Sequence, residues 1–501
     1  MLGFVSFSIA WALVFVTVRT VYRLYFHPLK NIPGPKLAAA SSIYEFYFNV
    51  IKGGKYIWEV ERLHKIYGPI VRISPREVHI NDVKFYEEIY APATRKRDKV
   101  REWVEGFDLN GSVVSSVSAD LHRQRRVPLN KFFSKSAINN IEPMIQEKID
   151  QLCDHLRNAH TSQRVVNLDS GFAGLTSDVI HQYTIGYHSG NLDREDFNMH
   201  VRDAMNGLFH GVHVLFFFPF LAPIAGTIPL PILKSILPYF AAFKEQRIAI
   251  QGQIEKILSG GGEKDKSMIM TLAHHSSDLP AGFLDPARLT DEALTILTAG
   301  TETTARSLTF ALFNIIQSKE VQEKLREELK SVMPTPQSLP TWDQLKQLPY
   351  LNGVVYESIR LSTGLASRTP RIAPDETIVY KNFVLPAGTI LSQWHYFLLM
   401  DPEIYPNPHV FDPERWIRGT DNGERLDRYF IPFSKGPRMC IGFNLAYAEL
   451  YLVIARLARQ FDFTLYDTTE KNLAFARDFQ GAYPEHGNIS MRVKVSNQID
   501  E

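Results

Sequence analysis

The pattern of apolar and polar positions divides the chain unevenly. Leu2 to Val18 is almost continuously apolar and carries no charge; Arg19, Arg23 and Lys30 follow it. The run is at the short end for a membrane span. Trp11 lies inside it, and Tyr22 and Tyr25 lie at its charged end, where aromatic belts form. A cleaved signal peptide is the rival reading, but no basic segment precedes the run and no small-x-small site ends it. The pattern favours an uncleaved transmembrane helix over residues 1–25, with the arginine side and the body of the protein in the cytosol. Ile32-Pro-Gly-Pro35 fixes φ twice and pushes the residues before each proline extended, so 26–36 reads as a stiff hinge.

Beyond the hinge, Ile70–Pro75 and Glu77–Ile80 are β-rich runs split by a proline turn. From about 138 to 320 helical periodicity dominates. Leu215–Leu233 is strongly apolar but interrupted by Pro219, Pro223, Pro229 and Pro231, too many for a spanning helix. It reads either as a buried loop or as a lid that touches a bilayer. Ser259–Lys266 is a polar linker joining two helices. A long helix is expected from Leu289, with Thr290 as its N-cap and Asp291 and Glu292 in its first turn.

Composition narrows the function. Forty-five per cent of the 501 residues are hydrophobic, enough for a large core. A net charge of +1 gives no electrostatic footprint for nucleic acid. The two cysteines, Cys153 and Cys440, are far apart and make no disulfide framework. Cys153 sits in a helical apolar pattern and reads as a core residue.

Cys440 is different. It stands in Phe433-Ser-Lys-Gly-Pro-Arg-Met-Cys-Ile-Gly442, where glycines let backbone approach a flat group closely. A thiolate there can ligate haem iron, and Arg438 can meet a propionate. A structural cysteine beside a turn is the plainer alternative. The loop resembles the cysteine-ligand signature of the cytochrome P-450 (haem-thiolate monooxygenase) family. Further motifs follow the order of that family. Ala299-Gly-Thr-Glu-Thr-Thr304 resembles its oxygen-activation motif. The resemblance implies that Gly300 leaves room at the haem face, and that Glu302 and Thr303 deliver protons. Glu357-Ser-Ile-Arg360 and Pro413-Glu-Arg415-Trp416 resemble its E-x-x-R and P-x-R-[FW] motifs, which implies a buried Glu357–Arg360–Arg415 network supporting the haem loop. His122–Arg126 reads as preceding a helix that ends near Phe132–Ser134; His122 and Arg126 resemble the family's propionate-binding pair, and Arg371 the arginine that reaches the haem from a strand. His122 stands where tryptophan is the commoner family residue. Arg123 and Arg125 read as solvated charges or reductase contacts.

The resemblance implies a mainly α fold with a small β-rich lobe, spanning 37–501 after the anchor and hinge. It implies haem b as cofactor and electrons from NADPH through a separate NADPH-cytochrome P-450 reductase. It also implies the endoplasmic reticulum membrane as location and an apolar small molecule as substrate. Glu357–Arg371 resembles the trichodiene-oxygenase-like fungal group, which points to a terpenoid or polyketide intermediate. By position, the substrate pocket takes Leu294, Leu297, Thr298, Leu365–Thr369, Phe479–Ala482, Trp103 and Phe107. Arg368 pairs either with a substrate carboxylate or with a local acid. A haem-thiolate isomerase or dehydratase, and a haem-binding sensor without turnover, are the alternatives.

Overall fold

The apolar N-terminal run forms helix α1 (Leu2–Val21), continued by one π-helical turn over Tyr22–Phe26. Ser6–Phe26 is long and apolar enough to cross a membrane, and none of it is buried in the protein. The computed structural model describes residues 2–260 and 267–499, so the greater part of the expected polar linker, 261–266, lies outside the described residues. The hinge is not free. The Arg72 guanidinium donates to the carbonyls of Arg23 (3.0 Å) and Pro75 (2.8 Å), and Arg72 N–H donates to Pro33 O (2.7 Å). Gly34 has φ +154°, and a Cβ there would lie 2.5 Å from Arg72 O, so only glycine fits the crossing.

The β-rich lobe is built on one five-stranded sheet. Its strands are β1 (Ile70–Arg72), β2 (Glu77–Ile80), β3 (Asp98–Lys99), β4 (Arg371–Ile372) and β5 (Ile390–Ser392), in the order β1-β2-β5-β4-β3. The two β-rich runs of the sequence are β1 and β2, antiparallel, with Val71 opposite His79. Pairing of Lys99 with Arg371 across β3 and β4 brings two basic residues to one edge.

The helical body contains α2 (Ala119–Asn130), α3 (Lys135–Thr161), α4 (Leu168–Ile185), α5 (Met199–His210), α6 (Pro238–Leu258), α7 (Pro286–Gln317), α8 (Pro349–Ser362) and α9 (Phe443–Gln460). Helix α4 is buried nearly all round, which matches its lack of a polar face. It packs along α7, and α3, α7, α8 and α9 share one core with Leu175, Leu308, Leu312, Val354 and Leu452.

Three expectations are corrected. Helix α7 starts earlier than Leu289: Asp285 caps it by accepting from Arg288 N (2.9 Å), and Pro286 occupies the first turn with its φ already helical. Thr290 is then an interior residue whose hydroxyl donates to Pro286 O. His122–Arg126 does not precede a helix but lies inside α2, capped by Ser118. Arg125 is not a free surface charge. It donates to the carbonyls of Asn110 and Ser112 and to Ser116 Oγ, closing the preceding loop.

Between α5 and α6 the prolines break the apolar stretch into three short helices, Val212–Phe217, Leu221–Thr227 and Leu230–Ile236. Leu215, Phe216, Ala222 and Leu233 turn inward, whereas Phe220, Ile224, Ile232 and Ile236 are each more than half exposed. The segment is thus neither a buried loop nor an ordinary surface: it carries an inward and an outward apolar face.

Candidate functional site

The Cys440 loop is closed by two backbone bonds, Cys440 N–H to Phe433 O (2.9 Å) and Met439 N–H to Gly436 O (3.1 Å). Gly436 has φ +75°, and a Cβ there would meet Ala91 O at 2.6 Å, so the loop lies tight against the β-rich lobe. Phe433 packs on Tyr447 of α9 at 5.2 Å between ring centroids. Gly442 caps α9, and a Cβ on it would point into open space, a cradle that a flat group would fit. Cys440 keeps exposed surface, yet burial pushes its thiol pKa up. Gly442 N–H and the charge of Arg126 oppose that upward push and favour the thiolate.

Five basic groups crowd this loop. His122 is buried, and burial together with Arg438, Lys99, Arg126 and Arg371 drives its pKa down to about 2. Burial and the charge of Arg371 bring Arg438 down to about 9. Lys99 is held well below its usual range by burial and by Arg371, Arg438 and Arg126. Burial also lowers Arg126 and Arg371. Their hydrogen bonds run mainly to carbonyls. Arg438 reaches Arg97 O (3.1 Å), Ser116 O (2.8 Å) and Val117 O (2.7 Å). Arg126 reaches Met439 O (3.0 Å), Arg371 reaches Pro370 O (3.0 Å), and Lys99 reaches Val114 O (2.5 Å). Among the described residues none of the five forms an ion pair. Such a cluster fits a ligand with two carboxylates, as haem has, and the donor set and the Gly442 cradle agree with it. Lys99 was missed in the sequence because its place depends on strand pairing with Arg371 rather than on any local motif.

Beneath the loop, Glu357, Arg360 and Arg415 meet. Arg360 grips Glu357 with two bonds, Nε to Oε2 (3.0 Å) and Nη2 to Oε1 (2.6 Å), and Arg415 Nε adds a third to Oε1 (3.3 Å). Trp416 Nε1 donates to Oε2 (3.0 Å), and Arg360 and Arg415 also cap the carbonyls of Leu399 and Pro406. Glu357 and Arg360 are fully buried. Rings carry this network to the loop: Trp416, Phe430, Tyr356, Tyr447 and Phe433 touch in sequence.

On α7 the motif residues separate by face. Ala299 and Thr303 are exposed in the middle of an otherwise buried helix, one turn apart, with Thr303 Oγ1 donating to Ala299 O (2.9 Å). Gly300 faces elsewhere. A Cβ there would stand 3.0 Å from Ile180 Cγ1 of α4, so the glycine serves the α4–α7 contact and not, as the motif implied, a gap at the haem face. Ala299, four residues before Thr303, shares its exposed face, a spacing that the sequence already displayed. Glu302 points to a third side. Arg202 of α5 donates to both its oxygens (2.8 and 3.2 Å) and to Asp169. Against the cost of burial, the charges of Glu302 and Asp169 hold Arg202 above its ordinary pKa. Glu302 and Arg202 line a pocket open to solvent, with Ser177, Asn191, Asn198 and Gln246 among apolar neighbours such as Phe197 and Phe209.

The expected pocket residues divide. Phe107 and Thr298 line an apolar pocket under the three short helices, whereas Leu297, and again Thr298, border the pocket at Glu302. Trp103, Phe107, Phe216, Phe479 and Tyr483 form one aromatic cluster. Leu294 is fully buried in the core and faces no ligand space. Arg368 is settled: it is buried between Glu77 (2.7 Å) and Glu45 (2.6 Å), both local acids, and lies over Trp103.

Comparison with known proteins agrees with this geometry. The cytochrome P450 family model matches residues 42–487. Among the relatives, cytochrome P450 monooxygenase pbrB of Penicillium brasilianum is 40% identical, covering 96% of this chain and 95% of that protein. Conidiogenone synthase PchP450 of Penicillium rubens is 41% identical, covering 96% and 97%. Cytochrome P450 monooxygenase TRI4 of Trichoderma arundinaceum is 39% identical, covering 96% and 93%.

Proposed function

Since the chain belongs to the cytochrome P450 family, we propose that it binds haem b through the Cys440 thiolate and oxidises an apolar terpenoid or polyketide intermediate of fungal secondary metabolism. The protein is a monooxygenase, and its family uses haem b with electrons from NAD(P)H passed through a reductase partner. The bound cofactor supplies activation and cleavage of dioxygen. The observation that carries the residue roles is the pairing of an exposed sulfur at the start of α9 with five basic groups that have no carboxylate partner.

Gly442 N–H and the N-terminal end of α9 favour negative charge on Sγ. Arg126, Arg371, Arg438, Lys99 and His122 pair with the two propionates. The Glu357–Arg360–Arg415 network and its chain of rings keep the loop rigid. Thr303 presents its hydroxyl on the open face of α7. Glu302, held in place by Arg202 at the pocket on the other face, relays protons toward Thr303 Oγ1.

The apolar cavity under the short helices receives the substrate. Its charged residues are already engaged, Lys244 with the carbonyls of Gly226 and Ile228 and Arg247 with Asp291, so it selects hydrocarbon. Helix α1 anchors the protein in the endoplasmic reticulum membrane, facing the cytosol, and the exposed Phe220, Ile224, Ile232 and Ile236 touch the bilayer. NADPH-cytochrome P450 reductase is the electron donor. The test is turnover with that reductase, NADPH and isotopically labelled dioxygen on a panel of terpene and polyketide hydrocarbons. One labelled oxygen in the product is expected. Conversion without labelled oxygen, or without NADPH, would favour an isomerase or dehydratase instead.

A further inference from the structure

Ser434 is the residue after Phe433 and one of few non-glycine residues with left-handed backbone, at φ +61°. Phe433 O accepts the Cys440 N–H bond, so the turn taken at Ser434 sets where that carbonyl points. An L-residue resists this conformation, and something must hold it there. The side chain supplies the hold. Ser434 Oγ lies 3.0 Å from Tyr86 Oη, and Tyr86 Oη lies 2.9 Å from His395 Nε2. Tyr86 and His395 are buried, and burial brings the His395 pKa down to about 4, followed by the charge of Arg371. With His395 neutral and its proton on Nδ1, Nε2 accepts from the phenol and the phenol oxygen can accept from the serine hydroxyl; with the proton on Nε2, His395 donates to the phenol, which can donate to Ser434 Oγ. Tyr86 opens the short helix Tyr86–Ile89, and His395 opens His395–Leu399, both in the β-rich lobe.

We infer that Tyr86, fixed by His395, is a positioning residue that holds Ser434 in its left-handed turn and so sets the geometry of the cysteine-ligand loop. The inference rests on Cys440 as the iron ligand. It adds a second support to that loop, from the β-rich lobe, independent of the Glu357 network on the helical side. Nothing in the family resemblance of the loop required it: a glycine at 434 would take the same turn with no partner.

The experiment is a double-mutant cycle on the full-length holoprotein, read by the reduced carbon-monoxide spectrum. The quantity measured is the rate at which the red-shifted Soret band of thiolate ligation decays to the unshifted form in mild denaturant. Tyr86→Phe keeps the ring and removes the hydroxyl, and should speed the decay several-fold. Ser434→Ala keeps the strained turn without its hydrogen bond, and should speed it equally. Ser434→Gly needs no hold, so adding Tyr86→Phe to it should change the rate less than twofold. If Tyr86→Phe accelerates decay as much in the Ser434→Gly background as in the native one, its hydroxyl acts elsewhere and the inference fails. It fails also if Tyr86→Phe leaves the native decay rate unchanged. Absence of the shifted band in every protein, native included, would instead remove the Cys440 ligation on which it rests.

Discussion

Two groups of arginines flank the Cys440 loop, and they differ in what they leave unpaired. Below it, Arg360 and Arg415 share Glu357, and the remaining donors reach carbonyls. Around it, Arg126, Arg371 and Arg438 stand beside Lys99 and His122 without one ion pair among the described residues, each pushed below its ordinary pKa by burial. The first group is complete and costs nothing further to bury. The second is an unbalanced charge that folding alone leaves uncompensated, and the missing partner is a pair of carboxylates. A network that closes on itself reads as scaffold; one that does not reads as a binding site.

Removing the shared carboxylate should have the largest effect. Glu357→Ala leaves two guanidiniums buried without a counter-charge, a change that costs roughly 3–5 kcal/mol. The folded holoprotein should be lost or melt far below the native form, as thermal unfolding would show. Removing a charge from the open group should act in opposite directions on two states. Arg371→Gln relieves repulsion in the haem-free protein, which should melt no lower than native. The same change should weaken haem retention by about tenfold or more, equivalent to ~1.4 kcal/mol or above. If both states lost stability equally, the contrast between the groups would fail.

A smaller effect lies in the pH dependence. His122 is held neutral in the folded protein, with its pKa down at about 2. The unfolded chain takes up that proton below its ordinary pKa, so stability is undiminished above pH ~6.5 and falls as the pH drops from there toward 2, by up to ~1.4 kcal/mol per unit. Propionates beside His122 would favour its charged form and flatten this slope. Urea unfolding of haem-free protein should therefore lose less stability with acid when His122 is replaced by Phe, and the holoprotein should show a smaller difference between the two. The smallest effect is steric. Gly300→Ala places a methyl 3.0 Å from Ile180 and should cost about 1 kcal/mol, most of it recovered by Ile180→Val. A loss of the carbon-monoxide complex without loss of stability would instead return Gly300 to the haem face.

Much of the site was legible because its chemistry is local. The cysteine loop and the Glu357–Arg360 spacing each lie within a few residues, where spacing determines facing. What was hidden depends on elements far apart in sequence. Lys99 joins the cluster through strand pairing with Arg371, Arg202 meets Glu302 across a hundred positions, and Arg368 finds Glu45 and Glu77 only when the β-rich lobe closes. Gly300 was misread for the same reason: the motif gives the residue, but only the neighbouring α4 reveals which face it serves. The start of α7 was misplaced because Thr290 and Asp285 are both good caps, and Pro286 decides between them.

The most direct test concerns the sulfur. Full-length protein reconstituted with haem, reduced and exposed to carbon monoxide, should show the red-shifted Soret band of thiolate ligation. Cys440→His should bind haem in the same basic cluster yet lack that shift. Retention of the shifted band by Cys440→His, or its absence from the native protein, would contradict the account.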